Sequence, residues 1–151
     1  MSPAIPAPNP PVEPVWLKDK NRSEDAVAAR EADCVSTRID FHHEVDGRAV
    51  LARMGTRADG TETVLHVHVM NPDNWMVGTI APLDKDGGLW LARTTHPDTV
   101  ELSKHATPAD AVDHIKLDAE ERGAWAATTM EELDAAWLAN PRTPLCEHCG
   151  R

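Results

Sequence analysis

The chain has no tyrosine and a single phenylalanine, Phe41. With so little other aromatic surface, the five tryptophans, Trp16, Trp75, Trp90, Trp125 and Trp137, are the expected core anchors. Cysteine is scarce as well: Cys34, Cys146 and Cys149 are the only three. An odd count with two thiols crowded at one end argues against a disulfide framework and fits a reducing compartment. No apolar run approaches the roughly 20 residues needed to span a bilayer. Positive charge is in short supply, with 15 Lys and Arg against 25 Asp and Glu and a net charge of −10. Such a field repels a phosphate backbone, so nucleic-acid binding is disfavoured. The last third is the acidic part, with nine acids against four Lys or Arg from residue 107 onward.

What is present suits one domain, since 151 residues can bury a core without covalent staples. Six of the twelve prolines fall within residues 1–14, which forbids helix and favours an extended arm. The expected division is an arm over 1–22, a single α+β domain over 23–140, and a tail over 141–151 that carries Cys-x-x-Cys-Gly. Ser23 followed by Glu24 and Asp25 reads as a helix N-cap, opening a short Ala-rich helix through about Ala32. From Val35 the period becomes two, with Val35, Thr37, Ile39, Phe41, His43 and Val45 on one face of a strand. Asp46-Gly47 signals a hairpin, and Arg48–Met54 returns as its second strand. After Asp59-Gly60 come Thr61–Met70, then Trp75–Ala81, Leu89–Thr95 and a shorter sixth strand over Thr99–Ser103. Thr107-Pro108-Ala109-Asp110 is a strong helix start, and Gly123 a stop. Thr128 or Thr129 with Glu131 or Glu132 repeats the capping pattern, and Asn140-Pro141 ends the last helix. The fold class is therefore α+β: an antiparallel sheet of five or six strands, two C-terminal helices on one face, and a short N-terminal helix.

Two groups of residues can carry chemistry. Cys146-Glu147-His148-Cys149-Gly150 places two thiolates where they grip one tetrahedral ion, and the glycine permits the tight turn. This hook resembles half of a zinc ribbon or rubredoxin-type knuckle. The resemblance implies zinc held by Cys146 and Cys149, with Cys34, His148 or a second copy of the hook completing the set. The second group is His66-Val67-His68, whose spacing on a strand points both imidazoles to one face. With Gly60 ahead of it, this segment resembles the opening of a cupin metal motif, Asp73 standing near the acidic ligand, although Gly78 follows too soon. A histidine-triad hydrolase would need a third histidine where Met70 stands. His42 and His43 alternate faces, so at most one of them can join the pair. The segment Trp75–Ala119 has the outline of small sheet modules that read DNA, but its acids outnumber its bases.

In style, with twice as much Arg as Lys and recurrent Ala, Val and Asp, the chain resembles small proteins of high-GC actinobacteria and their phages. The opening Met-Ser-Pro-Ala-Ile-Pro-Ala-Pro lacks the charged and apolar regions of a secretory signal. A cytoplasmic or virion-associated protein is expected. The functional expectation is a non-enzymatic interaction or structural protein, a virion component or small accessory protein, meeting protein partners or its own subunits through its ends. Alternatives are a metal-dependent enzyme built on His66 and His68, and an acidic regulator of a basic or DNA-binding partner.

Overall fold

The computed structural model describes residues 15–94 and 101–139. They form helix α1 (Val15–Ala32) and strands β1 (Cys34–Val45), β2 (Arg48–Arg57), β3 (Glu62–Met70), β4 (Met76–Pro82), β5 (Trp90–Thr94) and β6 (Leu102–His105), followed by helices α2 (Pro108–Arg122) and α3 (Met130–Ala139), with a 3-10 turn at Ala124–Ala126 between them. The strands pair antiparallel in simple chain order, β1 to β6, as one six-stranded sheet. Short turns make this order possible: Asp46 and Gly47 both take positive φ, at 47° and 81°, as a two-residue hairpin of this hand requires. The α+β class, the six strands and the three helices agree with the sequence reading.

Alternation on the strands creates two unlike faces. Ala52, Val67, Ile80 and Ala92 lie side by side across four strands, and each is at most 1% exposed. Onto this row α2 lays Ala111, Val112, Ile115 and Ala119, all buried. Burying a Val or Ile contributes about 2 kcal/mol each, so this layer is the main source of cohesion. The helix is stopped at both ends as its sequence dictates: the Thr107 side chain accepts from the Asp110 amide, and Gly123 takes φ 83°. α3 docks mainly on α2 and the 3-10 turn, burying Trp137 beneath Arg122, whose guanidinium carbon stands 5.1 Å from the indole ring. Trp90 is buried too, and Trp75 and Trp125 pack partly buried against the same core.

α1 crosses the other face. Arg53 and His66 are paired across β2 and β3 out of phase with Ala52 and Val67, and Arg53 is bound by Glu31 of α1. The helix starts at Val15 and not at Ser23, so residues 15–22, expected in an extended arm, are helical; residues 1–14 lie outside the described ones. Ser23 is a buried mid-helix residue. Its hydroxyl donates to the Pro82 carbonyl at 2.9 Å, satisfying the end of β4 instead of an amide of its own helix.

β1 departs from its expected pattern for a geometric reason. Register slips between Asp40 and His43, where two residues of β1 stand opposite one of β2. Such a bulge exchanges the faces of everything beyond it. Ile39 therefore sits beside Arg53 on the α1 face, whereas His43 sits beside Val50 on the core face. The single apolar face expected from Val35 to Val45 does not exist. Val45 is buried, while Val35, Ile39 and Phe41 are 72%, 45% and 68% exposed. The sixth strand is displaced as well, at Leu102–His105 instead of Thr99–Ser103.

Candidate functional site

On β3 the odd-numbered Val67 and Val69 are buried under α2, which leaves His66 and His68 on the α1 face, as their spacing requires. Their rings meet edge to face with centroids 4.9 Å apart, and the two Nε2 atoms are 3.0 Å apart. His68 Nδ1 lies 2.9 Å from Met76 Sδ at the start of β4. Sulfur only accepts, so His68 donates from Nδ1 and its Nε2 takes the proton of His66 Nε2 when both rings are neutral. Two imidazolium ions cannot make that contact. Burial lowers the pKa of both histidines, and the positive charges of His68 and Arg53 lower that of His66 further, against the opposing charge of Glu31.

The other histidines do not join them. His42 is exposed on the bulge, and His43 turns its Nδ1 to Asp40 at 3.3 Å. Asp73, the acid of the cupin-like reading, uses its backbone amide to bind Asn71 Oδ1 at 3.0 Å in the turn between β3 and β4. Among the described residues no group of three His, Cys, Asp or Glu is placed to hold a metal ion. Cys34 lies under the C-terminal end of α1, where its thiol donates to the Arg30 carbonyl at 3.4 Å and its sulfur crowds Gly55. Cys146, His148 and Cys149 lie outside the described residues.

The histidines form one wall of a cleft of about 490 Å³ between α1 and the sheet. Ladder pairing sets its floor: His68 is beside Thr79, and Thr79 beside Arg93. Neighbouring strands are about 4.8 Å apart, so these three side chains stand in one polar row. Val27 and Ala28 of α1 and Leu91 of β5 supply apolar walls. The sequence did show the His pair and its common face. It did not show Thr79 and Arg93 as their companions, because that depends on the register of three strands. Comparison with protein-family models, with curated proteins and with solved structures finds no match for the chain.

Proposed function

We propose that this protein is a non-enzymatic interaction protein, of the kind that serves as a virion component or small accessory protein, and that its described contact surface joins two copies of the chain. The observation that supports the reading is the exposed apolar side of β1. A twelve-residue edge strand carrying bare Val35, Ile39 and Phe41 is costly to leave in water and leaves one edge of the sheet open to pairing.

The strand is also complementary to itself. With Ile39 on a two-fold axis, antiparallel pairing sets Arg38 against Asp40 of the partner subunit, and Thr37 against Phe41 of the partner subunit. Opposite charges then meet on one face while apolar side chains meet on the other. The net charge of −10 opposes association only weakly at physiological salt, where charges more than about 8 Å apart are screened.

Sedimentation velocity over a wide concentration range tests this. The expected result is a dimer that Phe41→Asp converts to monomer with an unchanged circular dichroism spectrum. A wild-type monomer at every concentration, or a dimer indifferent to both Phe41→Asp and Ile39→Asp, overturns it. The rival is a metal-dependent enzyme, favoured by the 3.0 Å approach of the two histidine nitrogens. Elemental analysis separates the two: the rival requires stoichiometric metal that survives Cys146→Ser with Cys149→Ser and disappears in His68→Ala.

A further inference from the structure

A helix lying across a sheet ordinarily seals that face with an apolar stripe. α2 does so here, and α1 does not. Among its described side chains it buries a single alanine, Ala26, and it is otherwise anchored by polar contacts: Ser23 to the Pro82 carbonyl, Glu31 to Arg53, and Asp19 to Lys104 at 3.4 Å. Between these anchors the helix stands off from the row of His68, Thr79 and Arg93, and the space left is the cleft of about 490 Å³. That is within the range of small-molecule sites, roughly 300–1,000 Å³, and the mixture of apolar walls with a few convergent polar groups is their usual lining.

Of the four charged residues that line the cleft, Lys20, Glu24, Glu31 and Arg93, three are already in ion pairs. Glu31 is taken by Arg53 and Glu24 by Lys20. Arg93 also lines the cleft, is exposed, and has no ion pair or hydrogen bond from its side chain among the described residues. The two histidines pair with each other, and His68 is engaged at both ring nitrogens, so it has no free nitrogen to offer a ligand. A guanidinium beside a hydroxyl, in a cleft where Val27, Ala28 and Leu91 give apolar surface, matches a carboxylate attached to a short hydrocarbon body.

We propose that the cleft between α1 and the sheet binds a small organic carboxylate, with the carboxylate at Arg93 and Thr79 and the apolar body along Val27, Ala28 and Leu91. The site is separate from β1 and stands or falls independently of the dimer.

The test uses the full-length protein, following the ring C–H signals of His66 and His68 by NMR while hexanoate is added, with hexanamide and zinc chloride in parallel. Hexanoate should shift both signals saturably, and hexanamide should bind at least about tenfold more weakly, the size of effect expected when a charge-assisted contact is lost. Arg93→Gln should weaken hexanoate by a similar factor, and Thr79→Val should weaken it by less. Both substitutions are at part-exposed or exposed positions and should leave the fold intact. The proposal is overturned if hexanoate produces no saturable shift, if hexanamide binds equally well, if Arg93→Gln changes nothing, or if only zinc moves the signals.

Discussion

Asn71 shows how one side chain joins distant parts of this chain. It is 3% exposed, yet every hydrogen-bonding group of its amide is used. Its Nδ2 donates to the carbonyls of Ala124 and Ala127 at 3.1 and 2.8 Å, and its Oδ1 accepts from the amides of Asp73 and Trp75 at 3.0 and 2.8 Å. The turn between β3 and β4 is thereby tied to the 3-10 turn that follows α2. In the sequence, Asn71-Pro72-Asp73-Asn74 announces a turn and nothing more, because the two carbonyls it binds lie more than fifty residues away. Replacing Asn71 with Ala removes four hydrogen bonds: the buried Ala127 carbonyl and the Asp73 and Trp75 amides lose this partner, while the Ala124 carbonyl keeps the Ala127 amide at 3.2 Å. Each net hydrogen bond contributes about 1 kcal/mol, and an unsatisfied buried group costs about 1–3. Asn71→Ala should therefore lower the unfolding free energy by about 3 kcal/mol, read from urea denaturation followed by tryptophan fluorescence. A loss below about 1 kcal/mol would mean that water replaces the amide without penalty.

At the scale of elements, the distance between α2 and the sheet is set by Gly78. An added Cβ there would stand 2.6 Å from Ile115 Cγ2 and 2.8 Å from the Arg93 carbonyl oxygen. The second neighbour is backbone and cannot turn aside. Gly78→Ala must therefore lift α2 or spread β4 from β5, and overfilling of a close-packed core costs about 1–3 kcal/mol. Ile115→Val, made together with Gly78→Ala, removes only the Ile115 Cδ1 at 2.7 Å and should recover only part of the loss, since the clashes with Cγ2 and with the backbone remain. Full recovery in thermal melts would show that Ile115 Cδ1 alone sets the spacing. The role of Gly78 also shows which parts of this fold can be read from a sequence. Caps and hairpin turns were legible because their causes are local, as with Thr107 and Gly123 around α2. β1 was misread, because its bulge depends on β2. The start of α1 was misplaced for a similar reason: Ser23 has the chemistry of a cap, and only the position of Pro82 shows that it serves another strand. Of the cleft, the two histidines were legible from their alternation, whereas Thr79 and Arg93 entered it only through pairing register.

For the whole molecule, the shifted histidines and carboxylates act in one direction. Burial lowers the pKa of His66 and His68, as well as that of His105, where the charge of His114 adds to it and Asp110 opposes it. A base whose folded pKa is depressed is bound to more protons when unfolded, so stability rises with pH between the two values. The contribution of these histidines is complete above the ordinary histidine value of about 6.5 and is lost as pH falls through the lower folded values. Carboxylates behave alike at lower pH. Asp113 is held below its usual range by its hydrogen bonds from Arg48, and Glu132 by those from the Thr128 amide and hydroxyl. Their stabilisation is present above the ordinary carboxylate value and disappears as pH drops through the depressed one. Loss on acidification should thus begin with the histidines and continue with the acids. Unfolding free energies from urea titration should already be lower at about pH 5 than at about pH 7.5, before most carboxylates protonate. The wall of the cleft is one source, because a second proton cannot enter the His66 and His68 pair without breaking its 3.0 Å contact. The double variant His66→Gln, His68→Gln should flatten the curve over that interval and leave the acid limb unchanged. An equally steep curve in the double variant would assign the loss to His105 and to the carboxylates instead.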